Sequence, residues 1–147
     1  MPRHVIRPEL ADAKGQGLHN IGSAAELTGV SAKMIRHYES IGLIPPANRT
    51  FANYRLYSPS DLHRLRFIKR ARSLGFSMKQ IEALLGLWNN PRRASAEVKK
   101  LARAHAAELE HKVREMQAMQ RTLEDLARHC HGDHRPDCPI LDDLAGA

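Results

Sequence analysis

The two cysteines of this chain, Cys130 and Cys138, stand near its C-terminus in Cys-His-Gly-Asp-His-Arg-Pro-Asp-Cys, with seven residues between them. Two thiolates on so short a loop can approach one ion from opposite sides. Soft sulfur selects Cu(I) and related d¹⁰ monovalent ions, which accept low coordination numbers. Zinc asks for four ligands, and His131 or His134 together with His129 could complete a Cys₂His₂ set. The same spacing also fits a loop closed by a disulfide, or two unrelated buried thiols. Spacing alone leaves these alternatives open.

Local signals place both sulfurs at helix ends. Gly132 follows Cys130 and stops a preceding helix there. Pro139 follows Cys138 and marks the first position of a short terminal helix over 140–144. The free N–H groups of that helix favour a thiolate at Cys138, whereas the C-terminal end of the preceding helix disfavours one at Cys130. Five of the nine histidines lie after residue 100. His105 and His111 are expected on an exposed helix face, and His131 and His134 in a solvated loop beside Asp133 and Asp137.

The element that must carry this loop is long. Residues 95–129 contain neither Gly nor Pro, enough for ~35 helical residues and ~50 Å. Ala102, Leu109, Met116 and Leu123 recur every seven residues, with Ala106, Val113 and Ala127 four further on. A two-position heptad seam asks for a partner helix, so a homodimer is expected. Its Ala- and Met-rich composition leaves the strand orientation undecided.

Upstream the chain reads as a different kind of object. Residues 1–93 hold 15 Lys/Arg against 6 Asp/Glu, whereas residues 94–147 hold 8 against 10. A basic half followed by a near-neutral half suits a DNA-reading domain joined to an assembly and sensing region. A helix over 23–28 breaks at Gly29. Ser31 then caps a second helix over 32–41, which Gly42 ends. Two short helices joined by a tight turn form a helix-turn-helix, whose second helix enters the major groove. Its polar face carries Lys33, Arg36 and His37, while Ile35 and Tyr38 face inward. Residues 49–57, after Pro45-Pro46, read as a small wing bearing Arg49, Tyr54 and Arg55. Ser58-Pro59 opens a basic helix over 60–74. Ser77-Met-Lys-Gln80 is a capping box for another over 78–87. Residues 1–18, with weak periodicity, read as a flexible extension.

Several classes are set aside. No stretch approaches the ~18 apolar residues of a membrane span, and the first twenty residues hold no apolar block of a signal peptide. A cytoplasmic protein with reduced thiols is the expectation. There is no Gly-rich phosphate loop, no His-Glu-x-x-His and no facing nucleophile and base, so an enzyme is not expected. An iron–sulfur centre would ask for more cysteines than two.

Ile21-Gly22, Ala25 and Leu27-Thr-Gly-Val30, followed by Ile35-Arg36-His-Tyr38-Glu39 and Gly42-Leu43-Ile44, resemble the N-terminal signature of MerR-family transcriptional regulators. Tyr54-Arg55-Leu-Tyr57 is similar to their wing. Leu62 through Ile81, with Ala71-Arg-Ser-Leu-Gly-Phe76-Ser, is similar to their second helix pair. Cys130-x₇-Cys138-Pro139-Ile140 resembles the copper-responsive branch of that family. The resemblance covers roughly residues 21–144.

That resemblance implies a mainly α fold. A winged helix-turn-helix DNA-binding domain (19–93) would follow the extension (1–18) and precede a dimerisation helix (94–129) and a metal-binding loop with a short C-terminal helix (130–147). It implies Cu(I), or its congeners Ag(I) and Au(I), held linearly by Cys130 and Cys138. Ser95 falls where regulators of divalent ions carry a third cysteine, which disfavours divalent ions; a plain helix N-cap is equally compatible with a serine there. It implies an antiparallel homodimer bound to double-stranded promoter DNA through Lys33, Arg36 and His37 and the wing residues Arg49, Tyr54 and Arg55. Bending and untwisting that DNA would let RNA polymerase engage metal-efflux promoters. A thiol-redox or Zn(II) regulator of the same fold is the competing expectation. Asn53 departs from the family by standing where a wing glycine is usual, and the loop carries His131 and His134 where small or acidic residues are commoner.

Overall fold

The computed structural model describes residues 17–50 and 53–146; the expectation for residues 1–16 lies outside them. The chain divides after Arg93 into two compact units.

The first unit is built by capped helices. α1 (Ile21–Thr28) begins two residues earlier than expected, because Asn20 caps it: its side chain accepts the Ser23 N–H at 2.8 Å. Gly29 ends it in a left-handed conformation (φ 71°) and donates to the Ala25 carbonyl. Thr28 stitches the turn, donating to the Ala24 carbonyl and accepting the Val30 N–H. α2 (Ala32–Ser40) starts at Ser31, as expected, with the Ser31 hydroxyl accepting from Met34 N–H. Satisfying one orphan donor at such a terminus contributes about 1 kcal/mol.

The wing is minimal. β1 (Asn48–Arg49) and β2 (Arg55–Leu56) pair antiparallel, with Asn48 opposite Leu56 and Arg49 opposite Arg55. His19 adds an isolated bridge to Tyr57, their backbones exchanging hydrogen bonds of 2.9 and 2.7 Å. Asn53 carries the turn at φ 68°, and its N–H donates to the Thr50 carbonyl. Asparagine is tolerated there because its short polar side chain lessens the left-handed penalty. Asn53→Ala is therefore expected to cost about 1 kcal/mol, while Asn53→Gly should cost nothing measurable. Chemical denaturation of the two variants checks this; equal stabilities would remove the backbone argument.

α3 (Pro59–Ser73) and α4 (Met78–Trp88) both open on capping boxes, Ser58 with Asp61 and Ser77 with Gln80. The core forms where one face of α3 (Leu62, Leu65, Ile68, Ala71) meets Ala24, Ile35, Tyr38, Ile44, Tyr57, Ile81 and Leu85. Two α3 cations sit at the C-terminal end of α1. Arg66 donates to the Leu27 carbonyl at 3.4 Å, and the Lys69 ammonium occupies the space into which a Cβ on Gly29 would project. Cations complement the negative end of a helix dipole, so part of the α3 basic run is structural. On the far side Phe67 stacks on Trp88, centroids 4.8 Å apart and planes within 7°.

The second unit is α5 (Ser95–His129, 35 residues) and α6 (Pro139–Leu144). The apolar seam residues Leu109, Val113, Met116 and Leu123 are all exposed, as is Met119 beside them. The i,i+4 pairs Glu110–Arg114 and His111–Glu115, each at 2.9 Å, lie on the other side of the helix. His105 differs from expectation: it is 4% exposed, with Nδ1 3.7 Å from Glu108. Among the described residues no helix is long and apolar enough to cross a membrane.

Candidate functional site

On α2, Lys33, Arg36 and His37 are exposed, while Ile35 and Tyr38 are buried in the core. The i, i+3, i+4 spacing therefore places three cationic or titratable side chains on one outward face. The wing contributes differently at each position. Tyr54 is 61% exposed. Arg49 is half-buried and reaches the Asn53 carbonyl with Nη1 at 3.4 Å. Arg55, directly opposite Arg49 in the ladder, is half-buried as well.

Arg55 turns out to be tied to a residue to which the sequence reading assigned no role. Glu39, in the last turn of α2, is only 13% exposed, and its carboxylate faces the base of the wing. Oε1 accepts the Ala47 N–H at 3.1 Å. Oε2 accepts the Tyr57 phenol O–H at 3.2 Å and lies 3.2 Å from Arg55 Nε. The Arg55 contact is an ion pair and not a well-aligned hydrogen bond. Burial first, and then the Glu39 charge, push the Tyr57 phenol far above its ordinary value. Tyr57 therefore remains a neutral donor to the carboxylate at any working pH. The only sequence signal for this clamp was an acidic residue inside an otherwise basic helix face.

At the other end of the chain both thiols are free and half-buried. Cys130 is the C-cap of α5, and its N–H donates to the Ala127 carbonyl. Cys138 is the N-cap of α6 with Pro139 at N1, as expected. Between them Gly132 adopts φ 64°, and Asp133 accepts from both the Arg135 N–H (2.9 Å) and Nε (2.8 Å), folding the loop on itself. His131 and His134 are exposed. His129 Nδ1 lies 2.7 Å from the Asp125 carbonyl, leaving Nε2 as its outward nitrogen. No group of three or more His, Cys, Asp or Glu side chains placed to hold a metal occurs among the described residues. Ser95 is exposed at the first position of α5; the cap is Ala94 and makes no side-chain bond, so Ser95 is not the N-cap. On a helix of 35 residues, Ser95 and Cys130 of one chain stand ~50 Å apart.

A helix-turn-helix with a two-stranded wing and a second helix pair, followed by a long helix with an exposed apolar stripe, is the architecture of a winged helix-turn-helix regulator. Residues 20–87 match the family described as MerR HTH family regulatory protein, and residues 62–126 match the MerR, DNA binding family. The chain is 59% identical to the HTH-type transcriptional regulator HmrR of Sinorhizobium medicae, over 86% of each chain. It is 58% identical to heavy metal-dependent transcription regulator 2 of Rhizobium meliloti, again over 86% of each. Its fold is similar to that of PbrR691 from Ralstonia metallidurans CH34 in complex with lead(II), with a TM-score of 0.74 and 36% identity over 86% of this chain and 98% of that one. The protein belongs to the MerR family of helix-turn-helix transcriptional regulators, and it is not an enzyme.

Proposed function

We propose that the protein is a homodimeric, Cu(I)-responsive activator of metal-efflux genes in the cytoplasm, with Ag(I) and Au(I) as congeners at the same site. The observation that carries this reading is the placement of Cys130 at the C-terminal end of α5 and of Cys138 at the N-terminal end of α6, both free and half-buried. Two sulfurs fill a linear site for a monovalent d¹⁰ ion, whereas a four-ligand zinc site needs two more donors. The heavy-metal name carried by one relative and the lead(II) bound to another support metal sensing. The resemblance of the loop to the copper-responsive branch supports copper.

In this reading the exposed stripe of α5 pairs with its equivalent in an antiparallel partner. That arrangement brings Ser95 of one chain near the thiol pair of the other, across a distance no single chain spans. Ser95 offers no third thiolate, which supports a monovalent ion. Lys33, Arg36, His37, Arg49, Tyr54 and Arg55 meet the promoter duplex. Metal binding must favour a DNA-distorting state by about the several kcal/mol that bending and untwisting cost, and RNA polymerase engages the remodelled promoter.

Equilibrium competition with a Cu(I) chelator is expected to show one tightly held ion per chain, lost in Cys130→Ala and in Cys138→Ala. Zn(II) and Pb(II) serve as controls. Tight cysteine-dependent binding of either divalent ion without preference for Cu(I) would overturn the assignment. Promoter activation that follows oxidation and ignores copper would favour a thiol-redox switch instead.

A further inference from the structure

Glu39 is a negative charge on the element that carries Lys33 and Arg36, and ordinary electrostatics makes such a group a liability for DNA binding. Its side chain is nevertheless spent entirely on the wing. It holds Ala47 before β1, Arg55 within β2 and Tyr57 just after it. Eight, sixteen and eighteen residues of chain are thereby gathered onto one carboxylate.

We propose that Glu39 is a positioning residue for DNA: by ion-pairing with Arg55 at its Nε, 3.2 Å from the carboxylate, it restrains the side chain within the wing, so that the wing presents its cation to the same duplex that α2 reads. This rests on the DNA-binding reading of Arg36 and Arg55 given above. A guanidinium has five N–H donors in a planar fork, and a carboxylate beside Nε leaves the remaining donors to other partners. An arginine already ordered in the free protein has less conformational freedom to lose on binding phosphate. Lysine at position 55 keeps the charge and lacks the fork. The Tyr57 phenol donates to the same carboxylate oxygen, staying protonated because burial and Glu39 both oppose its ionisation.

The test turns on a sign. If Glu39 acts only through its charge, Glu39→Gln strengthens DNA binding, since it removes repulsion from the phosphates. If it positions Arg55, the same variant weakens binding. Full-length protein is titrated by fluorescence anisotropy against a duplex selected by the wild type from a random-sequence pool, across a salt series. Glu39→Gln is expected to lose affinity about tenfold, and its slope of log K on log salt to fall by about one, the signature of a lost phosphate contact. Arg55→Lys, with unchanged net charge, should reproduce both effects, and the double variant should be no worse than either single one. Circular dichroism monitors folding; if Glu39→Gln loses its helical signal, Arg55→Lys carries the test alone. Wild-type binding with Glu39→Gln equal or tighter and the slope unchanged, or Arg55→Lys indistinguishable from wild type, overturns the inference. A wild type that binds no duplex in a salt-dependent way overturns the DNA-binding reading itself.

Discussion

Replacing Met116 and Leu123 with glutamate is expected to convert the protein from dimer to monomer and to abolish tight promoter binding. Both side chains stand on the seam of α5, 65% and 57% exposed in the single chain. Covering the exposed part of each against a partner contributes about 1–2 kcal/mol, and two-fold symmetry applies every contact twice. A carboxylate carried into the same seam reverses the sign, because an unpaired charge taken out of water costs several kcal/mol. In the proposed dimer two DNA-binding heads act as one ligand, so its loss should lower affinity on the order of a hundredfold or more. Sedimentation velocity reads the first effect and anisotropy against the selected duplex the second. An unchanged sedimentation coefficient would show that the stripe is not the dimer contact.

The other large effect concerns the head. Leu65 is fully buried at the centre of the α3 face. Leu65→Ala removes its transfer free energy and leaves a cavity, at a cost of about 2–5 kcal/mol. Domains of this size have about 5–15 kcal/mol in all, so the variant should unfold at a much lower denaturant concentration. Leu27→Ala, at a position 48% exposed, should shift stability by only about 0.5 kcal/mol. Denaturation followed by circular dichroism compares the two. A Leu65 cost below that of Leu27 would mean that the buried face of α3 is not the organising surface of the head.

Much of this architecture could be read from residues that act locally. Ser31, Ser58 and Ser77 each announce a helix because a side-chain oxygen, a following N–H and a suitable third residue lie within one turn. The proline after Cys138 was legible for the same reason, whereas Asn53 was singled out only by the resemblance, as standing where a wing glycine is usual. The seam of α5 was visible because a helix converts sequence period directly into a face. Errors arose at helix starts. α1 is expected from Ser23, whereas Asn20 caps the helix and Ile21 packs against the core. At α5 the serine looked like the cap, yet the helix begins at Ser95 with Ala94 before it.

What sequence could not reveal is what depends on chain-distant pairing. Glu39 meets Ala47, Arg55 and Tyr57 only because the wing folds back on α2, and nothing in the spacing of those residues specifies it. Arg66 and Lys69 read as part of a basic surface, and one of their tasks is to close the carbonyl end of α1. The same holds for His105, whose burial no periodicity announced. The thiol pair and its place at two helix termini were legible from Gly132 and Pro139, and the structure adds a loop drawn in by Asp133 and Arg135.

The stacking of Phe67 on Trp88 has an optical consequence. Trp88 is the sole tryptophan of the chain, so the indole emission has a single source, and that source lies where α3 and α4 meet. Its ring is partly open to water and partly covered by the phenyl group, a setting in which small slides of one helix against the other change both wavelength and intensity. The protein thus carries its own label for movement within the head, one that needs no attached dye.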